Sequence, residues 1–212
     1  MSTWLIMDIA FLPINILIVS LVVEGVISKR DKLLLLKKLN MVIGAFYSEV
    51  GTNLLKLLIS FDLDAGRVGK HMLFNNTWTT QMFRSSINQV RNADYKLDSQ
   101  IGDLEELNVF LAARRAFLLR LLENPNLLEH ETFTDLLWAV FHLTEELANR
   151  KDFHSLPASD YVHISHDMKR AYTLLLAEWL TYMRHLSEDY PYLFSLAVRT
   201  NPFDPDATPE VS

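Results

Sequence analysis

The sequence predicts an all-α protein, with an N-terminal transmembrane helix running into a long amphipathic juxtamembrane helix and then a cytoplasmic helical bundle. Three observations predict this. Half of the 212 residues are hydrophobic, and there are only six Gly and seven Pro, which favours long helices over many-turned β structure. No stretch sustains the period-2 alternation of a half-buried strand. The run from Ile9 to Val23 carries no charge at all. The expected organisation is an anchor over 1–28, a basic and amphipathic helix over 29–60, a bundle over 61–200 and a loose tail over 201–212.

Residues 4–26 read WLIMDIAFLPINILIVSLVVEGV. As a helix these 23 residues rise about 34 Å, close to the ~30 Å hydrocarbon thickness of a bilayer. Asp8 and Glu24 then fall near opposite interfaces, and Trp4 serves as an interfacial anchor. A cleaved signal peptide would open with positive charge and close on an A-x-A-like site. Here no Lys or Arg precedes residue 29, and the far edge is SLVVEG. A membrane-surface helix would need a polar face, and a buried core helix is the remaining competitor.

The flank is basic. Lys29, Arg30, Lys32, Lys37 and Lys38 stand against Asp31 alone. The positive-inside rule keeps this flank cytoplasmic and puts the N-terminus outside, so the expected location is the cell membrane as a single-pass protein. Residues 1–60 carry a net charge of +2 and the rest of the chain −8. That balance offers nucleic acid no general attraction. The expected partners are the lipid bilayer and a second copy or another protein.

From Leu33 to Ile59, apolar residues recur at near-heptad spacing. Leu36, Leu39, Ile43, Phe46 and Val50 form the seam expected to pack a helix or pair subunits. Gly44, Ser48 and Gly51 add a small-residue strip that permits close approach. Phe61–Gly66 ends this helix. A weaker helical segment over 70–93 breaks at Asn75-Asn76-Thr77, with Thr77 as the expected N-cap. Asp103 caps a helix to about Glu123, and Asn124-Pro125-Asn126 stops it. His130–Arg150 follows the i, i+3, i+4, i+7 rule. Ser159 or Asp160 caps a last long helix to about Glu188, its inward face including Val162, Met168, Ala171, Leu175, Trp179 and Met183. Pro191 opens a short helix to Arg199.

With no Cys, thiol nucleophiles and Cys-based zinc sites are out. GRVGK at 66–70 lacks the length and strand context of a P-loop, and no Gly-x-Ser-x-Gly elbow is present. Arg114, Arg115 and Arg120 form a basic patch expected to balance Glu105, Glu106 and Glu123. The late aromatics are expected to be core. The histidines gather late, and Asp160, His163, His166 and Asp167 fall within eight residues. Helical bundles hold metals on such side chains, using Glu-x-x-His pairs in the di-iron carboxylate proteins. This chain has one Asp-x-x-His and no Glu-x-x-His, so no cofactor is expected. The functional expectation is therefore a membrane-anchored, non-catalytic interaction or assembly protein. The alternative is a metal- or cofactor-binding helical-bundle enzyme built on the late histidines.

Overall fold

A computed structural model describes residues 35–210, together with Glu24, Ile27 and Arg30. Apart from Glu24, the expected membrane span over 4–26 lies outside the described residues, as do Lys29 and Lys32 of its flank; Arg30, Lys37 and Lys38 are helical and exposed. The chain divides into two compact units, Met1–Leu39 and Asn40–Ser212. The second unit holds the helical body and every candidate site residue from Ile43 onward.

The described residues are all-helical apart from turns, loops and a single isolated bridge between Asp62 and Leu97. Seven helices succeed one another: α1 (Leu35–Ile59), α2 (Ala65–Met72), α3 (Thr80–Asn92), α4 (Leu104–Leu122), α5 (Glu131–Ala148), α6 (Ala158–Asp189) and α7 (Pro191–Arg199). A 3₁₀ turn, Pro125–Glu129, joins α4 to α5. The 32-residue α6 is the central element, packing against α1, α3, α5 and α7.

Of the heptad seam, Leu36 is exposed while Leu39, Ile43, Phe46 and Val50 are buried. The last three are part of the chain's own core: the Phe46 ring meets that of Phe133 on α5 edge-on at 5.4 Å. Those side chains pack within the chain's own fold. By length and hydropathy α1 passes the test for a membrane span, a test that core helices also pass.

A wide π-helical turn interrupts α1 at Tyr47–Gly51. Such turns loosen backbone hydrogen bonding. Here the Thr52 hydroxyl donates to Tyr47 O at 2.9 Å and Arg114 Nε donates to Glu49 O at 3.2 Å. The turn brings Tyr47 flat against Tyr182 of α6, centroids 5.4 Å apart, and its hydroxyl donates to Leu175 O at 2.9 Å. Gly44 makes this contact possible, because a Cβ there would lie 2.9 Å from Tyr182 Oη. The small-residue strip thus admits a tyrosine of the same chain.

Several boundaries differ from the sequence reading. α2 begins at Ala65, earlier than the expected 70, and the break at Asn75 is an Asx turn in which Asn75 Oδ1 accepts from the Thr77 amide and hydroxyl. Thr77 is thereby taken up in the turn, and Thr79 is the N-cap of α3. Asp103 caps α4 as expected, accepting from the Glu106 amide at 2.9 Å. The N-cap of α5 is His130, whose Nδ1 accepts from the Phe133 amide. α6 starts directly after Pro157 with no side-chain cap, so neither Ser159 nor Asp160 has that role. Of its expected inward face only Val162 points out, and Ile164 takes its place. The tail is held where it begins: buried Asn201 donates to Met72 O at 2.8 Å and Phe203 lies 5.7 Å from Trp179.

Of the late aromatics, Tyr172, Trp179 and Phe194 are core, and Tyr161 and Tyr182 are half-buried. Trp179 is buried in a cluster with Phe74, Phe83 and Phe194. Tyr190 and Tyr192 are exposed.

Candidate metal centre

α5 and α6 form the most extensive helix pair, and each carries a histidine followed four residues later by a carboxylate. His142 and Glu146 share one face of α5, and His163 and Asp167 share one face of α6, because positions i and i+4 stack on a helix. His142 meets Asp167 and Glu146 meets His163, so the two helices run antiparallel here and the two pairs face each other.

The distances are specific. His142 Nε2 and His163 Nε2 lie 3.4 Å and 3.3 Å from Asp167 Oδ2. His163 Nε2 is 3.5 Å from Glu146 Oε2, and His142 Nε2 is 3.8 Å from Glu146 Oε1. One donor atom from each of His142, His163 and Asp167 falls within 4.8 Å of the other two. A tetrahedral ion bound at about 2.0–2.1 Å holds neighbouring donor atoms about 3.3–3.4 Å apart. The two separations to Asp167 Oδ2 match that edge.

Asp167 is the centre of the group. Its side chain is 6% exposed, and Oδ2 is buried with no hydrogen-bond partner. A buried carboxylate oxygen left unsatisfied costs free energy unless a cation or donor meets it. The two imidazoles are half exposed, at 44% and 51%, so the cluster is open to water on one side. Two imidazole nitrogens and one carboxylate oxygen suit Zn(II), Fe(II) or Mn(II), and the absence of thiolate disfavours Cu(I). An open side leaves coordination positions for water or substrate, as catalytic sites do.

A second layer of charge fixes Glu146 beside the cluster. Arg150 donates to Glu146 Oε2 at 2.9 Å and, through Nε and Nη2, to both carboxylate oxygens of Asp160 at 2.7 Å. It also donates to the Glu146 carbonyl one turn back. The guanidinium hydrogen bonds hold the carboxyls of Glu146 and Asp160 below their ordinary range. Both are therefore anionic at neutral pH.

The structure thus divides the four residues singled out by sequence. His163 and Asp167 enter the cluster. Asp160 lies one layer back, on Arg150. His166 is exposed and makes no contact with the cluster. His142 and Glu146 were missed, although the spacing His-x-x-x-acid occurs in both helices and was the signal available. The arginine patch is balanced differently from expectation: Arg115 pairs with Glu145 at 2.5 Å, and Arg114 lies over the Phe110 ring at 4.1 Å.

Residues 35–199, which contain the whole cluster, match the family described as "Uncharacterized protein MJ1433, C-terminal helical domain". The chain belongs to this family. It is 43% identical over 202 residues to the uncharacterized protein MJ1433 of Methanocaldococcus jannaschii, a match covering 95% of this chain and 81% of that protein. No solved structure matches it. The family description agrees with the helical architecture and assigns no activity.

Proposed function

We propose that this protein is a divalent-metal-binding helical domain, with the ion held by His142, His163 and Asp167 and with Glu146 beside it. The observation that carries this reading is the buried, unpartnered Oδ2 of Asp167 facing two imidazole nitrogens at tetrahedral-edge distances. Burial favours this carboxylate only if positive charge meets it. Metal analysis of the purified full-length protein after exposure to Zn(II), Mn(II) or Fe(II) tests the reading. About one ion per chain is expected, retained in H166Q and lost in D167N. Absence of stoichiometric uptake of all three ions contradicts it.

The second reading places this domain at a membrane. Its support is the uncharged run Ile9–Val23 and the basic flank of Lys29, Arg30, Lys32, Lys37 and Lys38. On this reading the span is single, the N-terminus is outside and the helical domain lies on the cytoplasmic side, where tethering raises its local concentration near bilayer-bound partners. Carbonate extraction of membranes tests it: the protein stays in the pellet if it spans, and its release into the supernatant ends the reading.

A further inference from the structure

Beside the cluster, a groove of about 450 Å³ follows the seam between α5 and α6, lined by Asp135, Trp138, Ala139, His142, Arg170 and Leu174. His142 belongs to both the groove wall and the donor set, so one end of the groove reaches a ligand of the proposed ion. We infer that this groove binds a small organic anion, its acidic group between the ion and Arg170 and its apolar body against Trp138 and Leu174. The inference rests on the metal-binding reading.

The groove is built from one face of each helix. Asp135, Trp138, Ala139 and His142 stand at i, i+3, i+4 and i+7 of α5. Arg170 follows Asp167 by three residues on α6, and Leu174 follows Arg170 by four, so all three stack on one side of α6. Within this wall Trp138 is 56% exposed. An indole is a large apolar surface to leave in water, and on a concave wall it suits a ligand ring. Among the described residues no acid pairs with Arg170, so its guanidinium is available to a bidentate carboxylate or phosphate.

Charge sets the direction of binding. Arg170 and the proposed ion are positive, and Asp135 lies along α5 on the side of Trp138 away from His142. An acidic group is therefore drawn toward His142, and a second acidic group near Asp135 is repelled. The ligand class that fits is an aromatic or branched aliphatic carboxylic acid or phosphate ester with a single acidic group.

Cobalt(II) replaces the ion for the test, because its visible absorption reports its ligands. The full-length protein is loaded with Co(II) and titrated with phenyl phosphate, benzoate and inorganic phosphate. Phenyl phosphate or benzoate should shift the Co(II) spectrum saturably. R170Q and W138A should each weaken that binding about ten-fold while still loading Co(II). Inorganic phosphate, lacking the apolar body, should bind more weakly and be insensitive to W138A. If the wild type loads Co(II) but neither aromatic probe changes its spectrum up to about 10 mM, the groove inference falls and the metal reading stands. Aromatic-probe binding unaffected by both substitutions also overturns it. If Co(II) does not load, both readings fall together.

Discussion

Arg150 and Asp160, ten residues apart in sequence, are joined by two parallel hydrogen bonds of 2.7 Å across the turn between α5 and α6. The same guanidinium holds Glu146 at 2.9 Å. A flexible surface glutamate is thereby fixed on the side of the cluster facing His163. Residues that orient metal ligands in this way alter affinity without touching the ion.

D160N should keep the helical content of the protein and lower its metal affinity about ten-fold, because Arg150 loses its bidentate anchor and Glu146 its fixed position. R150A should do the same and also destabilise the fold by about 1–2 kcal/mol, a modest loss because both carboxylates retain access to water. Competition with a chelator measures the affinity, and urea unfolding the stability. Unchanged affinity in both variants contradicts the positioning role.

V50D should unfold the domain. Val50 is fully buried in the core-facing half of α1, and an uncompensated carboxylate there costs about 4 kcal/mol or more. If Val50 instead served an intermolecular seam, V50D would yield a folded chain of lower assembly mass. Circular dichroism with light-scattering mass separates the two outcomes.

Asp62 makes stability depend on pH. Burial raises its carboxyl above the ordinary carboxylate range. The folded state then holds this proton more tightly than the unfolded chain. Its contribution is fullest below the unfolded value near ~4 and is lost as pH rises through the folded value. D62N keeps an acceptor for the Asp64 amide, which Asp62 Oδ1 now meets at 3.0 Å, and has no such titration. The stability difference should therefore move in favour of D62N between about pH 4 and 7. A difference that stays constant with pH contradicts this.

Much of the fold was legible in the sequence because its helices carry strong signals. Asp103 and Pro191 marked helix starts, and the apolar period of His130–Arg150 defined α5 almost to the residue. The errors fell where local chemistry had two solutions. Thr77 and Thr79 are both capping residues, and the Asx turn of Asn75 takes the first. A heptad seam reads the same whether it packs on a neighbour or on its own chain, and only tertiary structure assigned Phe46 to Phe133.

The His–carboxylate cluster was half legible. Clustering within one stretch drew attention to His163 and Asp167, whereas their partners lie about twenty residues earlier on α5. The spacing His-x-x-x-acid is not sufficient by itself. His185 and Asp189 share it, yet they pair directly at 2.8 Å while His185 Nδ1 also lies 3.3 Å from Asn40 Nδ2. What distinguishes the cluster is two such pairs facing across a helix interface around a buried oxygen, a relationship that spacing along the chain does not encode.

Anomalous diffraction from crystals of the full-length protein grown with Zn(II), recorded on both sides of the zinc edge, tests the central claim most directly. One strong peak is expected about 2.0–2.2 Å from Nε2 of His142, Nε2 of His163 and an Asp167 carboxylate oxygen. A map without that peak, with the two imidazoles instead hydrogen-bonded directly to Asp167, would contradict it.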